Sequence, residues 1–271
     1  MRRFLIGSIA AIIIIPGLWQ IAVTDRLITG LIEESLEDKG LHADITEFKK
    51  GFFFDFALRQ ITIKKSGKEI LSIENAKGRL DLLSLFVLQL PVFFNGEIGR
   101  GTIRSKVELF QSGNPLEIAV DSAEIEDIPV FSSLGLLGRG TFSGNLKMEN
   151  NTGEIRFQLA DAHLKSVAFD GIMVPMELFY KGRGALIING DTVVIKSFVL
   201  EGDSIYARIK GDITGGRSSL TLELMPEQSF QEKHPVLSLL ERYRVSPGYY
   251  SIPITRNFSL LDGAAPVYEK P

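Results

Sequence analysis

Cysteine is absent from all 271 residues, which excludes disulfide bridges, thiolate metal sites and cysteine nucleophiles together. Histidine is nearly as scarce. His42, His163 and His234 are the only three, and none has a second ligand at the spacing that a metal site needs. A surplus of charge is also missing: the formal net charge is -3. The basic runs are short, with Lys64-Lys65 and Lys68 reading as the solvated end of a hairpin, so there is no electrostatic footprint for nucleic acid. Catalytic signatures are wanting as well, since no Gly-x-Ser-x-Gly elbow, His-Glu-x-x-His or Walker sequence occurs. Asp121, Glu124, Glu126 and Asp127 crowd around Ile125 and Ile128 beside Pro129, where a run of acids reads as solvated surface. These residues lead us to expect no enzyme activity, no cofactor and no metal.

One long hydrophobic run is present. Residues 4–23 are predominantly apolar and follow Arg2 and Arg3; as a helix they span about 30 Å, the hydrocarbon thickness of a bilayer. A secretory signal peptide has a shorter apolar stretch and a small-x-small exit. Here the exit reads Trp19-Gln20-Ile21-Ala22-Val23-Thr24, and Trp19 suits the interfacial belt of a retained helix. The expected anchor rests on Phe4, Leu5, Ile12, Ile13, Ile14, Ile15, Leu18, Trp19 and Ile21. Asp25, Glu33, Glu34, Glu37 and Asp38 follow the span, so the positive-inside rule places residues 1–3 in the cytoplasm and the bulk of the chain across the membrane.

Beyond the span, residues 24–40 predict an amphipathic helix. Leu27, Ile28, Leu31, Ile32 and Leu36 recur at helical spacing, and Gly40 stands where a C-terminal cap belongs. From residue 41 to 254 the period changes to two, in short runs separated by glycine and asparagine, which predicts an antiparallel β domain. Gln111 to Pro115, Asn150 to Gly153, Asn189-Gly190-Asp191 and Thr214 to Arg217 read as turns, with Asn189-Gly190 as the central pair of a type I′ turn. The alternation slips near Lys196-Ser197, which predicts a bulge. Gly99-Arg100-Gly101, Gly138-Arg139-Gly140 and Gly182-Arg183-Gly184 each open an alternating run and read as strand starts. Residues 80–94 are densely apolar and predict a short helix or a connection lying on the sheet's edge. A short helix is expected at 235–243, a final strand at Tyr249 to Ile254, and a loose tail at 255–271.

The expected fold is mainly β: an N-terminal transmembrane helix, then an elongated, curled antiparallel sheet with short accessory helices. One face of that sheet is dry, and alternation alone does not distinguish a filled core from an open groove. If it is a groove, acyl chains would lie against Phe157, Leu159, Leu186, Ile188, Ile205 and Ile209.

The leading span, the glycine-capped helix and the successive β units resemble the AsmA-like group of envelope proteins. More narrowly, the segment from Gly182 to Pro226 is similar to the type II secretion protein N (general secretion pathway protein N) family. The residues that carry this are Gly182-Arg183-Gly184-Ala185-Leu186, Leu200-Glu201-Gly202-Asp203-Ser204 and Lys210-Gly211-Asp212-Ile213. The helix at Pro235 to Tyr243 and the strand from Gly248 to Ile254 fit the end of that family, whereas Thr255-Arg256-Asn257 stands where its pattern has a glycine. The resemblance implies a bacterial inner-membrane protein with its bulk in the periplasm. It would be an accessory to export of folded proteins, with envelope or secretion proteins as partners through β edges. The AsmA-like fold implies the alternative of lipid binding or transfer.

Overall fold

The structure, a computed structural model, describes residues 24–37, 40–51, 54–81, 84, 90–109, 113, 115–133, 135–169, 172–233 and 240–257. The expected anchor at 4–23, most of the helix expected at 235–243 and the tail from 258 onward lie outside the described residues. Among those described, no helix is long and apolar enough to cross a membrane.

The chain enters through α1 (Asp25–Glu37). Its end is a Schellman motif: Gly40 has φ +69, its N–H donates to the Glu37 carbonyl at 2.8 Å, and the Leu41 N–H reaches back to Leu36 at 2.9 Å. The strands follow: β1 (His42–Thr46), β2 (Lys49–Lys50), β3 (Asp55–Lys65), β4 (Lys68–Leu80), β5 (Leu90–Ile98), β6 (Gly101–Leu109) and β7 (Leu116–Glu124). A 3-10 turn at Ile125–Asp127 and α2 (Pro129–Ser133) precede β8 (Gly138–Glu149) and β9 (Thr152–Leu164). A separate hairpin, β10 (Val167–Phe169) with β11 (Ile172–Val174), leads through a 3-10 turn at Met176–Leu178 into β12 (Phe179–Asn189). The chain closes with β13 (Thr192–Gly202), β14 (Ile205–Thr214), β15 (Arg217–Pro226), α3 (Gln228–Lys233), β16 (Arg244–Ser246) and β17 (Tyr249–Asn257).

Fifteen of these strands make one antiparallel sheet that does not close. The order is a meander, β3-β4-β5-β6-β7-β8-β9-β12-β13-β14-β15-β17, with β1 and β2 sharing the outer edge of β3 and β16 flanking the start of β17. Where the connection is two residues long, as between β3 and β4, β8 and β9, and β14 and β15, the strands it joins can only be antiparallel neighbours. Ser66-Gly67, Asn150-Asn151 and Gly215-Gly216 all have positive φ at both positions, the requirement of type I′ turns.

Three local expectations are corrected. Asn189 pairs with Thr192, so the turn's central residues are Gly190-Asp191, of which only Gly190 has positive φ. Residues 90–94 do not lie on an edge: they begin β5, inside the sheet between β4 and β6. The Gly-Arg-Gly elements are not equivalent strand starts. Gly99 lies in a turn and Gly138 opens β8, but Gly182 and Gly184 stand within β12. The bulge at Lys196-Ser197 is present, since β13 slips by one residue there against β12.

Bulges also occur where the sequence reading had none. β4, β7 and β9 each gain one residue against a neighbour, at Asn75, Ser122 and Asp161, and all three have positive φ. Each bulge keeps the apolar residues on one face by changing their spacing from two to three, as in Ile73 to Ala76, Val120 to Ala123 and Leu159 to Ala162. The result is a single apolar face running from β1 to β17. The described parts of its connections at one end of the sheet, within 125–137, 165–178 and 227–243, carry the covering elements. Ile125, Ile128, Met176 and Phe230 from these segments are buried in the core. Phe131 and Phe142 pack against both halves of that core, edge to face at 5.2 Å, and make it continuous.

Candidate functional site

All six residues expected to line a groove fall on the apolar face, as the register shows. Leu159 lies opposite Gly182, Phe157 opposite Gly184 and Ile188 opposite Val193; Ile209 lies opposite Phe198 on β13. Their surroundings differ. Leu159 and Ile205 are buried in the core cluster with Leu200, Ala207 and Leu224, and Ile209 packs against it. Phe157, Leu186 and Ile188 are half-buried, on the half of the sheet away from the covering elements.

Phe157 sits in a row of aromatic rings, 6.1 Å from Phe142 and 5.4 Å from Phe198. Two glycines make the room. Phe157 faces Gly144 on one neighbouring strand and Gly184 on the other, and a Cβ added at Gly184 would come within 2.4 Å of the Phe157 ring. Gly184, one of the residues that carry the resemblance, therefore serves packing, because a phenyl ring laid over a strand needs a residue without a side chain beneath it.

The opposite face is polar and carries two features. A carboxylate is buried there: Glu223 on β15 is 2 % exposed. It accepts from Arg208 Nε at 2.6 Å and Lys210 Nζ at 2.6 Å, and the Tyr249 hydroxyl also donates to it. Burial pushes its pKa up, but the Lys210, Arg208 and Tyr249 hydrogen bonds outweigh this and hold it below the ordinary glutamate value. The second feature is a cleft of about 930 Å³ over β4 to β8, continuous with one of about 430 Å³ that shares Arg79, Phe93 and Asn95 as lining. No sequence motif marks the cleft, because its residues come from five strands and meet only through the register.

The acidic run is divided by the fold. Glu124 pairs with Arg100, while the Asp127 side chain packs against Gly99, where any Cβ would collide with its carboxylate. His42 lies 3.3 Å from Asp44 on the exposed edge, and His163 is exposed on β9. Among the described residues no three His, Asp or Glu side chains are grouped to hold a metal ion. In comparisons with known protein families, curated proteins and solved structures, the chain matches none.

Proposed function

We propose that this chain is an inner-membrane-anchored periplasmic interaction module, an accessory component of the type II protein secretion machinery. Residues 4–23 hold it in the bilayer, and the sheet rises into the periplasm as an elongated, AsmA-like β scaffold. It performs no chemistry of its own. One observation carries the preference for an interaction module over a carrier: the covered end of the apolar face is filled by its own side chains. Leu159, Leu200, Ala207 and Leu224 are all buried, at most 8 % exposed. A free edge complements this, since β16 pairs only with Tyr249 and Tyr250, and among the described residues no strand lies along the outer side of β17 from Ser251 to Asn257. Unpaired backbone of this kind is where a strand from another β domain adds.

Deleting the gene is expected to lower secretion of folded proteins across the outer membrane, with the full chain restoring it and residues 24–271 exported without the anchor failing to do so. Normal secretion in the deletion strain under inducing conditions overturns the assignment. A photo-crosslinking residue in place of exposed Thr255 on β17 is expected to give an adduct with a secretion component, and not with the edge filled by a second copy.

The half-buried strip of Leu146, Met148, Ile155, Leu186, Ile188 and Ile213 favours a second reading, in which acyl chains lie along the uncovered half of the face. Native mass spectrometry of the full chain released from mild detergent tests it. Retained phospholipid that is lost on Leu186→Asp supports a lipid-handling role, and a lipid-free spectrum removes it.

A further inference from the structure

The polar-face cleft has a construction that the proposed function does not use. Three strands place six side chains on a grid, because the pairing register sets Lys77 beside Asn95 beside Arg104, and Arg79 beside Phe93 beside Lys106. An amide and a phenyl ring thus occupy the centre, with a cation at every corner. The floor is hollow because the row continues through short side chains, Ala119 on β7 and Asn145 on β8, while long side chains wall it: basic Arg79, Arg104, Lys106 and Lys147, with the acidic Asp81 and Glu117 among them, Glu117 paired with Lys147 at 3.0 Å. The sign of the charge is local, in a chain whose net charge is -3.

Pairing sharpens the grid. Lys106 is held by Glu108 at 2.6 Å and Arg79 lies 3.9 Å from Asp55, but Lys77 and Arg104 have no acidic partner among the described residues. These two stand on either side of Asn95, two strands apart, which is about 10 Å between backbones. That gap suits one tetrahedral oxyanion seated over Asn95, reached by a cation from each side and by the amide N–H₂ from below. Phe93 lies two residues along the same strand, about 7 Å away. It is 41 % exposed, one of few large apolar side chains left open to water among the described residues.

The geometry points to a binding site for a phosphate ester carried on an apolar or ring-shaped body, with the phosphate over Asn95 between Lys77 and Arg104 and the body against Phe93. A phospholipid headgroup and a free phosphorylated compound share this chemistry. The site lies on the face opposite the proposed acyl strip and stands independently of the secretion reading.

Isothermal titration of the full chain in neutral detergent at near-physiological salt tests it, with phenyl phosphate, inorganic phosphate and dihexanoyl phosphatidic acid as probes. Phenyl phosphate is expected to bind saturably and more tightly than inorganic phosphate, and Phe93→Ala is expected to abolish that preference. Lys77→Gln with Arg104→Gln is expected to weaken binding by about tenfold or more, while Arg156→Gln, on the same row but paired with Glu154 at 2.8 Å, leaves it unchanged. Phosphatidic acid displacing phenyl phosphate assigns the site to a lipid headgroup, and binding of phenyl phosphate alone assigns it to a free ester; either supports the site. Absence of saturable binding by both esters overturns it. So does an affinity that the double substitution leaves intact, or that Arg156→Gln lowers equally, because that describes general surface charge. The substituted side chains are exposed, so an unchanged unfolding midpoint verifies that the variants remain folded.

Discussion

Truncating both cations over the buried carboxylate, Arg208→Ala with Lys210→Ala, is expected to destabilise the sheet by about 3 kcal/mol, because a charge that is nine-tenths or more out of water loses its compensation. Arg208 and Lys210 are themselves 41 % and 50 % exposed, so water entering the space they leave keeps the cost near the lower end of what such losses reach. Glu223→Gln alone is expected to cost only about 1 kcal/mol, since it removes charge-assisted hydrogen bonds without stranding a charge. Adding Glu223→Gln to the double variant should therefore recover most of the lost stability, a sign reversal that chemical unfolding of the three variants checks. Simple additivity among them would sink this account of the cluster. The pH dependence follows the same logic. Glu223 is held below its ordinary value in the folded state, so its contribution is complete above the ordinary glutamate range and is lost as pH falls through the lowered value. Wild type should lose stability on acidification more steeply than Glu223→Gln does.

Phe56→Ala is expected to cost about 3 to 4 kcal/mol, in the range for removing a buried aromatic ring. Phe56 is 7 % exposed, stacks on Phe48 at 5.8 Å and lies over Gly78 on the neighbouring strand, where an added Cβ would stand 2.0 Å from the ring. Gly78→Val alone is expected to cost about 2 kcal/mol through overpacking. Together the two changes should cost less than the sum, because the valine fills part of the space the ring vacates. Thermal unfolding of the two single variants and the double variant decides it; an additive result means that ring and glycine do not share one volume.

The glycines divide what was legible from what was not. Alternation and turn residues predict most strands of the sheet, because both act within a few residues of sequence: Asn150-Asn151 and Gly215-Gly216 adopt the φ values their turns demand. The bulge at Lys196-Ser197 is visible because a polar pair breaks a strongly apolar run. Those at Asn75, Ser122 and Asp161 are less so, yet each leaves a trace, a spacing of three between small or apolar residues such as Ile73 and Ala76. Residues 90–94 illustrate the opposite failure, since a continuous apolar run does not reveal whether it lies inside a sheet or upon it. Gly184 reads as part of a strand start because a sequence shows no ring above it. Phe157, which occupies that space, comes from another strand.

For the candidate sites the division is sharper. Side-chain period placed Phe157, Leu159, Leu186, Ile188, Ile205 and Ile209 on one face without any coordinate, because successive residues of a strand point to opposite sides. It did not separate the buried Leu159 and Ile205 from the half-buried Leu186 and Ile188, since that difference is made by the described parts of segments 125–137, 165–178 and 227–243, distant in sequence, which cover only one end of the sheet. Glu223 with Arg208 and Lys210, and the grid around Asn95, were likewise invisible. Composition and periodicity alone determined a mainly β protein with one dry face, no thiol chemistry and no recognisable catalytic sequence. Which side chains are covered, which charges meet and where a hollow opens were decided by cross-strand register and by long connections, and these depend on residues that a local pattern does not bring together.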